Sequence, residues 1–103
     1  MTHDSTEILT RRFPGWRVVV NRPGNGWSTV ILGRWEVNLE EIAGDRWEAS
    51  VHRYRRAPEW GGSMTINEVA VSADPDTAIT EAIAKARAEW EAMASGAPWE
   101  AAP

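Results

Sequence analysis

From Trp35 to Glu40 the chain alternates without a break: Trp35, Val37 and Leu39 are apolar, and Glu36, Asn38 and Glu40 are polar. Successive side chains on a strand point to opposite faces, so this run fits a strand with one buried and one wet side. Such a strand belongs in an antiparallel sheet that packs something apolar against one face only. Arg46–Tyr54 repeats the pattern, with Trp47, Ala49 and Val51 on the inward side.

The neighbouring segments supply more strands. Trp16-Arg17-Val18-Val19-Val20-Asn21 is β-branched and apolar, with Trp16, Val18 and Val20 sharing a face. The turn cluster Arg22-Pro23-Gly24-Asn25-Gly26 joins it to Trp27–Leu32 as a hairpin. Gly33-Arg34 reads as a tight turn rather than a glycine bulge, and Ala43-Gly44-Asp45 as a second turn. A fifth strand is expected near residues 65–72, supported by Val69 and Val71 and weakened by Asn67 and Glu68.

One long helix follows. Asp74 is placed as its N-cap, Pro75 as its first residue and Asp76 near the positive end of its dipole. Ile79, Ala82, Ile83, Ala86, Trp90 and Met93 recur at helical spacing, and Glu81 and Lys85 are spaced for an i,i+4 pair. Ser95-Gly96-Ala97-Pro98 ends it. Near the start, Asp4-Ser5-Thr6-Glu7 has the form of a capping box, and Ile8, Leu9 and Phe13 allow a short helix over 5–12.

The fold expected is α+β: an antiparallel sheet of four to five strands packed against one C-terminal helix, with that short N-terminal helix as an addition. The 103 residues fit one domain. It is assigned to 16–96, with 1–15 as an N-terminal segment and 97–103 as a flexible tail. Its expected core joins Trp16, Val18, Val20, Trp35, Val37, Leu39, Trp47 and Val51 to Ile79, Ile83 and Trp90.

Composition narrows the chemistry. Without cysteine there are no disulfides, no thiol catalysis and no cysteine-ligated metal. Two histidines, His3 and His52, are too few for most catalytic zinc sites, so neither a metal nor a cofactor is expected. No apolar run spans a membrane and no leader opens the chain, which points to the cytoplasm. Ten arginines against the single Lys85, with abundant alanine, suit a GC-rich bacterial or bacteriophage genome. Residues 61–103 carry seven acids against Lys85 and Arg87, an acidic balance that argues against general affinity for nucleic acid. Seven of the nine aromatic residues are tryptophan, read mainly as core and secondarily as anchors for a partner.

Two constellations stand out. Glu48, Ser50, His52 and Tyr54 share one side of a strand. Alternate strand residues are roughly 6.5–7 Å apart, too far for the direct nucleophile–base bond a hydrolase needs, so no catalytic residue is assigned. Arg53, Tyr54, Arg55, Arg56 and Trp60 form the basic–aromatic cluster and are the candidate protein-interaction residues. Gly24–Gly26 and Gly61–Gly62 lack the lysine or following helix of phosphate loops and read as turns. Glu40-Glu41 and Asp74…Asp76 are accounted for by a turn and a helix start.

The order of a short helix, antiparallel strands and a final helix is similar to that of double-stranded-RNA-binding domains. Those domains open their last helix with a lysine-rich motif, where this chain has Asp74-Pro75-Asp76-Thr77, so it is not assigned to them. The expectation is a small non-enzymatic interaction or regulatory module that meets a protein, or a second copy, through the 53–62 loop and a sheet edge. The alternatives are nucleic-acid binding through Arg53–Arg56, and a small enzyme or ligand binder with a pocket between sheet and helix.

Overall fold

The computed structural model describes residues 4–22 and 26–93. Its elements are α1 (Ser5–Arg12), β1 (Arg17–Arg22), β2 (Trp27–Leu32), β3 (Trp35–Ala43), β4 (Arg46–Tyr54), β5 (Met64–Ser72) and α2 (Pro75–Met93), with a single 3₁₀ turn at Pro58–Trp60. The strands form one antiparallel meander in the order β1-β2-β3-β4-β5. The expected α+β fold is observed with five strands and both helices. The tail at 97–103, the helix stop at 95–98 and turn residues 23–25 lie outside the described residues.

Both helices cover the same face of the sheet. Val30, Leu32, Trp35, Val37, Leu39, Trp47, Ala49, Val51, Ile66 and Ala70 form one core with Ile8, Leu9, Phe13, Ala78, Ile79, Ala82 and Ala86. The strict alternation of β3 and β4 is thus explained by a helix layer on one side and solvent on the other. The Leu32–Trp35 pairing makes Gly33-Arg34 a two-residue hairpin turn, and Gly33 takes the positive φ of +68° that such a turn favours.

Helix α2 begins as expected. An Asp74 carboxylate oxygen accepts from the Thr77 backbone N–H at 2.9 Å and from its hydroxyl at 2.8 Å. Lys85 differs from expectation, because its ammonium donates to the Val69 carbonyl at 2.9 Å on edge strand β5. At α1, an Asp4 carboxylate oxygen accepts from the Thr6 N–H at 2.9 Å. Small residues let α1 sit close to β2: the Ser5 and Ser28 hydroxyls meet at 2.8 Å, and the Thr6 hydroxyl reaches the same Ser28 oxygen at 2.6 Å. Arg11 and Arg12 at the end of α1 pair with Asp76 at the start of α2.

The core departs from expectation at two places. Trp16 precedes β1 and is 42 % exposed, and Val20 is 49 % exposed. β1 is an edge strand and α1 packs chiefly over β2, so only Val18 of that face packs against the core. The missing area comes instead from α1, whose Ile8 and Leu9 are buried with the adjoining Phe13. On α2 the most buried stripe is Ala78, Ile79, Ala82 and Ala86, while Ile83 and Trp90 flank it. Among the described residues no helix is long and apolar enough to cross a membrane.

Candidate functional site

Among the described residues nothing covers the face opposite the helices, and its side chains form three rows fixed by strand register. Trp27, Glu40, Glu48 and Val71 make one row. Thr29, Asn38, Ser50 and Val69 make the next, and Ile31, Glu36, His52 and Asn67 the third. The middle of this face is a hollow of about 330 Å³ lined by Trp27, Glu36, Asn38, Glu40, Glu48, Ser50 and His52. It lies away from the helix layer, not between sheet and helix.

Hydrogen bonds organise the floor. The Asn21 side-chain amide donates to the Thr29 hydroxyl at 2.6 Å, and that hydroxyl donates to the Asn38 side-chain oxygen Oδ1. The Asn38 amide donates to Glu36 at 3.0 Å. Burial raises the Tyr54 phenol above its ordinary range, and the Glu36 charge adds to the shift. Burial lowers the His52 imidazole below its ordinary value, outweighing the Glu36 charge that pulls it upward.

The Ser50 hydroxyl and His52 Nε2 are 3.2 Å apart. This corrects the expectation that alternate strand positions cannot bond: the Cα spacing is long, but side chains lean along a strand and close the gap. The pair still lacks what a hydrolytic site needs. Among the described residues His52 Nδ1 is buried with no partner, so no carboxylate orients the ring as in a triad. β4 is paired on both sides, so its backbone N–H groups are engaged in the ladders and offer no oxyanion hole.

The candidate residues read from sequence do not form one patch. Arg53 is 8 % exposed and lies on the helix side, its guanidinium 4.0 Å from the Trp90 ring centroid and 5.7 Å from that of Trp35. Tyr54 is on the opposite, open face. Arg55 and Arg56 are exposed on the following loop, and Trp60 is 77 % exposed at the end of the 3₁₀ turn.

This loop is braced. The Arg55 N–H donates to the Ser63 carbonyl at 2.9 Å, and the Trp60 N–H to that of Ala57 at 3.0 Å. Gly61 takes a φ of +76°, and a Cβ at Gly62 would lie 2.4 Å from the Arg56 carbonyl oxygen, so backbone approaches too closely there for any side chain. Glu59 pairs with Arg17 of β1 at 3.0 Å, which ties the loop to the far edge of the sheet. Met64 is exposed where β5 leaves the loop, and Val69 and Val71 are exposed further along the same strand, beyond Asn67.

Trp27 and Glu36 were absent from the sequence-derived candidates, while Glu40 and Glu48 were considered there and given no role. The alternation placed Glu36, Asn38 and Glu40 on a wet side, but only the β3–β4 register brings them opposite His52, Ser50 and Glu48. Comparison of the chain with protein-family models, curated proteins and solved structures finds no match.

Proposed function

We propose that this chain is a non-enzymatic protein-binding module whose partner contacts the 55–62 loop and the adjoining open sheet face. The observation that carries this reading is Trp60: a tryptophan 77 % exposed on a loop held by hydrogen bonds, an ion pair and two conformationally constrained glycines. Tryptophan and arginine dominate binding hot spots. A braced loop loses little freedom when it docks, so more of the contact energy remains as affinity. Arg55 and Arg56 lie on the same loop as this anchor, Met64 adds apolar surface where β5 begins, and Val69 and Val71 add more further along the open face.

Backbone pairing at β5 is less favoured as the mode of contact, because Lys85 occupies the Val69 carbonyl on that edge. Nucleic acid is a weaker reading, since Arg53 is turned into the core and three glutamates line the open face. The test is affinity capture from nuclease-treated host extract with wild type, Trp60→Ala and Arg55→Glu/Arg56→Glu, with fold checked by circular dichroism and self-association by sedimentation. A protein retained by wild type and lost from both folded variants supports the reading. Equal retention by all three overturns it.

A further inference from the structure

The open face holds a charge arrangement that folding alone does not favour. Glu40 and Glu48 stand directly opposite each other on β3 and β4. Like charges at directly opposed positions destabilise a sheet. Arg22 relieves one of them: its guanidinium pairs with Glu40 and lies 5.3 Å from the centroid of the Trp27 ring. Glu48 has no hydrogen bond or ion pair among the described residues. Glu36 adds a third carboxylate, and His52, kept below its ordinary pKa by burial, adds no compensating charge at neutral pH.

We propose that the open-face hollow receives an arginine side chain of the protein partner, its guanidinium paired with Glu48 and its stem lying towards Trp27. This rests on the reading of the chain as a protein-binding module. Arg22 provides the internal precedent, since it already combines a carboxylate on this face with the same indole. A guanidinium matches a carboxylate with two parallel donors and stacks on aromatic rings, which an ammonium does less well. The volume of about 330 Å³ accommodates the planar head and its methylene stem. Among the described residues no group of side chains has the arrangement to hold a metal ion, which leaves an organic cation as the matching charge. A second copy meeting this one face to face would oppose two sets of Glu36, Glu40 and Glu48, so charge favours a different, basic partner.

The test uses acetyl-Gly-Arg-Gly-amide, with the citrulline peptide as its neutral isostere. Each is titrated into the full chain and into Glu48→Gln, followed by ¹H–¹⁵N spectra. The expected result is a saturable shift of the Trp27 indole and of amides in 36–40 and 48–52, in the millimolar range for an isolated side chain. Citrulline and Glu48→Gln should each weaken it roughly tenfold or more. Glu48→Gln should also melt at a higher temperature than wild type, because it removes the opposed charges while keeping the shape. No saturable shift, an equal response to citrulline, or a lower melting temperature overturns the proposal. So does concentration-dependent self-association that Glu48→Gln abolishes, which would make a second copy the occupant. If Trp60-dependent capture persists while the hollow ignores arginine, this inference falls and the proposed function stands. If the hollow takes arginine while capture is indifferent to Trp60, this inference stands and the role of the loop falls.

Discussion

The guanidinium of Arg53 lies 4.0 Å from the ring centroid of Trp90, inside the domain, where β4 meets α2. Trp90 in turn stands edge-on to Trp35, with centroids 5.9 Å apart and planes at 80°. A cation over a desolvated indole contributes about 2 kcal/mol, and the arginine stem packs as well. Arg53→Ala should therefore lower unfolding stability by about 2 kcal/mol in urea titrations. A loss under about 0.5 kcal/mol, the level of an ordinary surface change, would show that the contact contributes little.

The helix layer predicts an ordering of two isoleucines. Ile79 is fully buried and Ile83 only partly, so Ile79→Ala should cost about 2–5 kcal/mol and Ile83→Ala clearly less. Equal losses in chemical unfolding would mean that the face of α2 is rotated from its described position.

How much of this was legible in sequence follows from strand parity and burial. The alternation in β3 and β4 identified the wet and dry sides correctly, because a sheet covered on one face imposes it. The same parity that turns Trp47, Ala49 and Val51 inward also turns Arg53 inward; its charge alone suggested the surface. Trp16 and Val20 looked like core because they are apolar, but α1 packs chiefly over β2 and leaves these positions at the sheet edge exposed. Ile8, Leu9 and Phe13 are too few to show a helical period, and small residues such as Ser5 and Ser28 hide how closely α1 docks. The hollow depends on register across three strands, which no single segment encodes.

His52 makes a pH-dependent contribution whose sign follows from its lowered pKa. The unfolded chain takes up a proton near the ordinary value of 6.5, while the folded chain resists doing so until lower pH. Stability is therefore lost as pH falls through 6.5 towards the lowered value, and regained on return to neutrality. His52→Gln should flatten that part of the stability–pH curve, measured by urea midpoints between pH 5 and 8. An unchanged slope would mean that another group carries it.

Glu89 has the opposite sign. The neighbouring Glu68 carboxyl raises its carboxyl above the usual range, with burial adding to the effect. The contribution is present below the unfolded value of 4.5 and is lost as pH rises through the raised folded value. Glu89→Gln keeps the side-chain shape without the repulsion from Glu68, so it should raise the melting temperature at pH 7 and leave it unchanged near pH 4. A gain of equal size at both pH values would mean that repulsion between Glu68 and Glu89 does not carry it.

The central claim, that a protein partner docks on the open face and the 55–62 loop, is tested most directly by amide hydrogen exchange on the captured complex. New protection is expected in the 55–62 loop and at β5 positions around Val69 and Val71, with a matching perturbation of the Trp60 indole. The solvent sides of α1 and α2 should exchange as in the free chain. Protection confined to the helices, with the loop and open face unchanged, would contradict it.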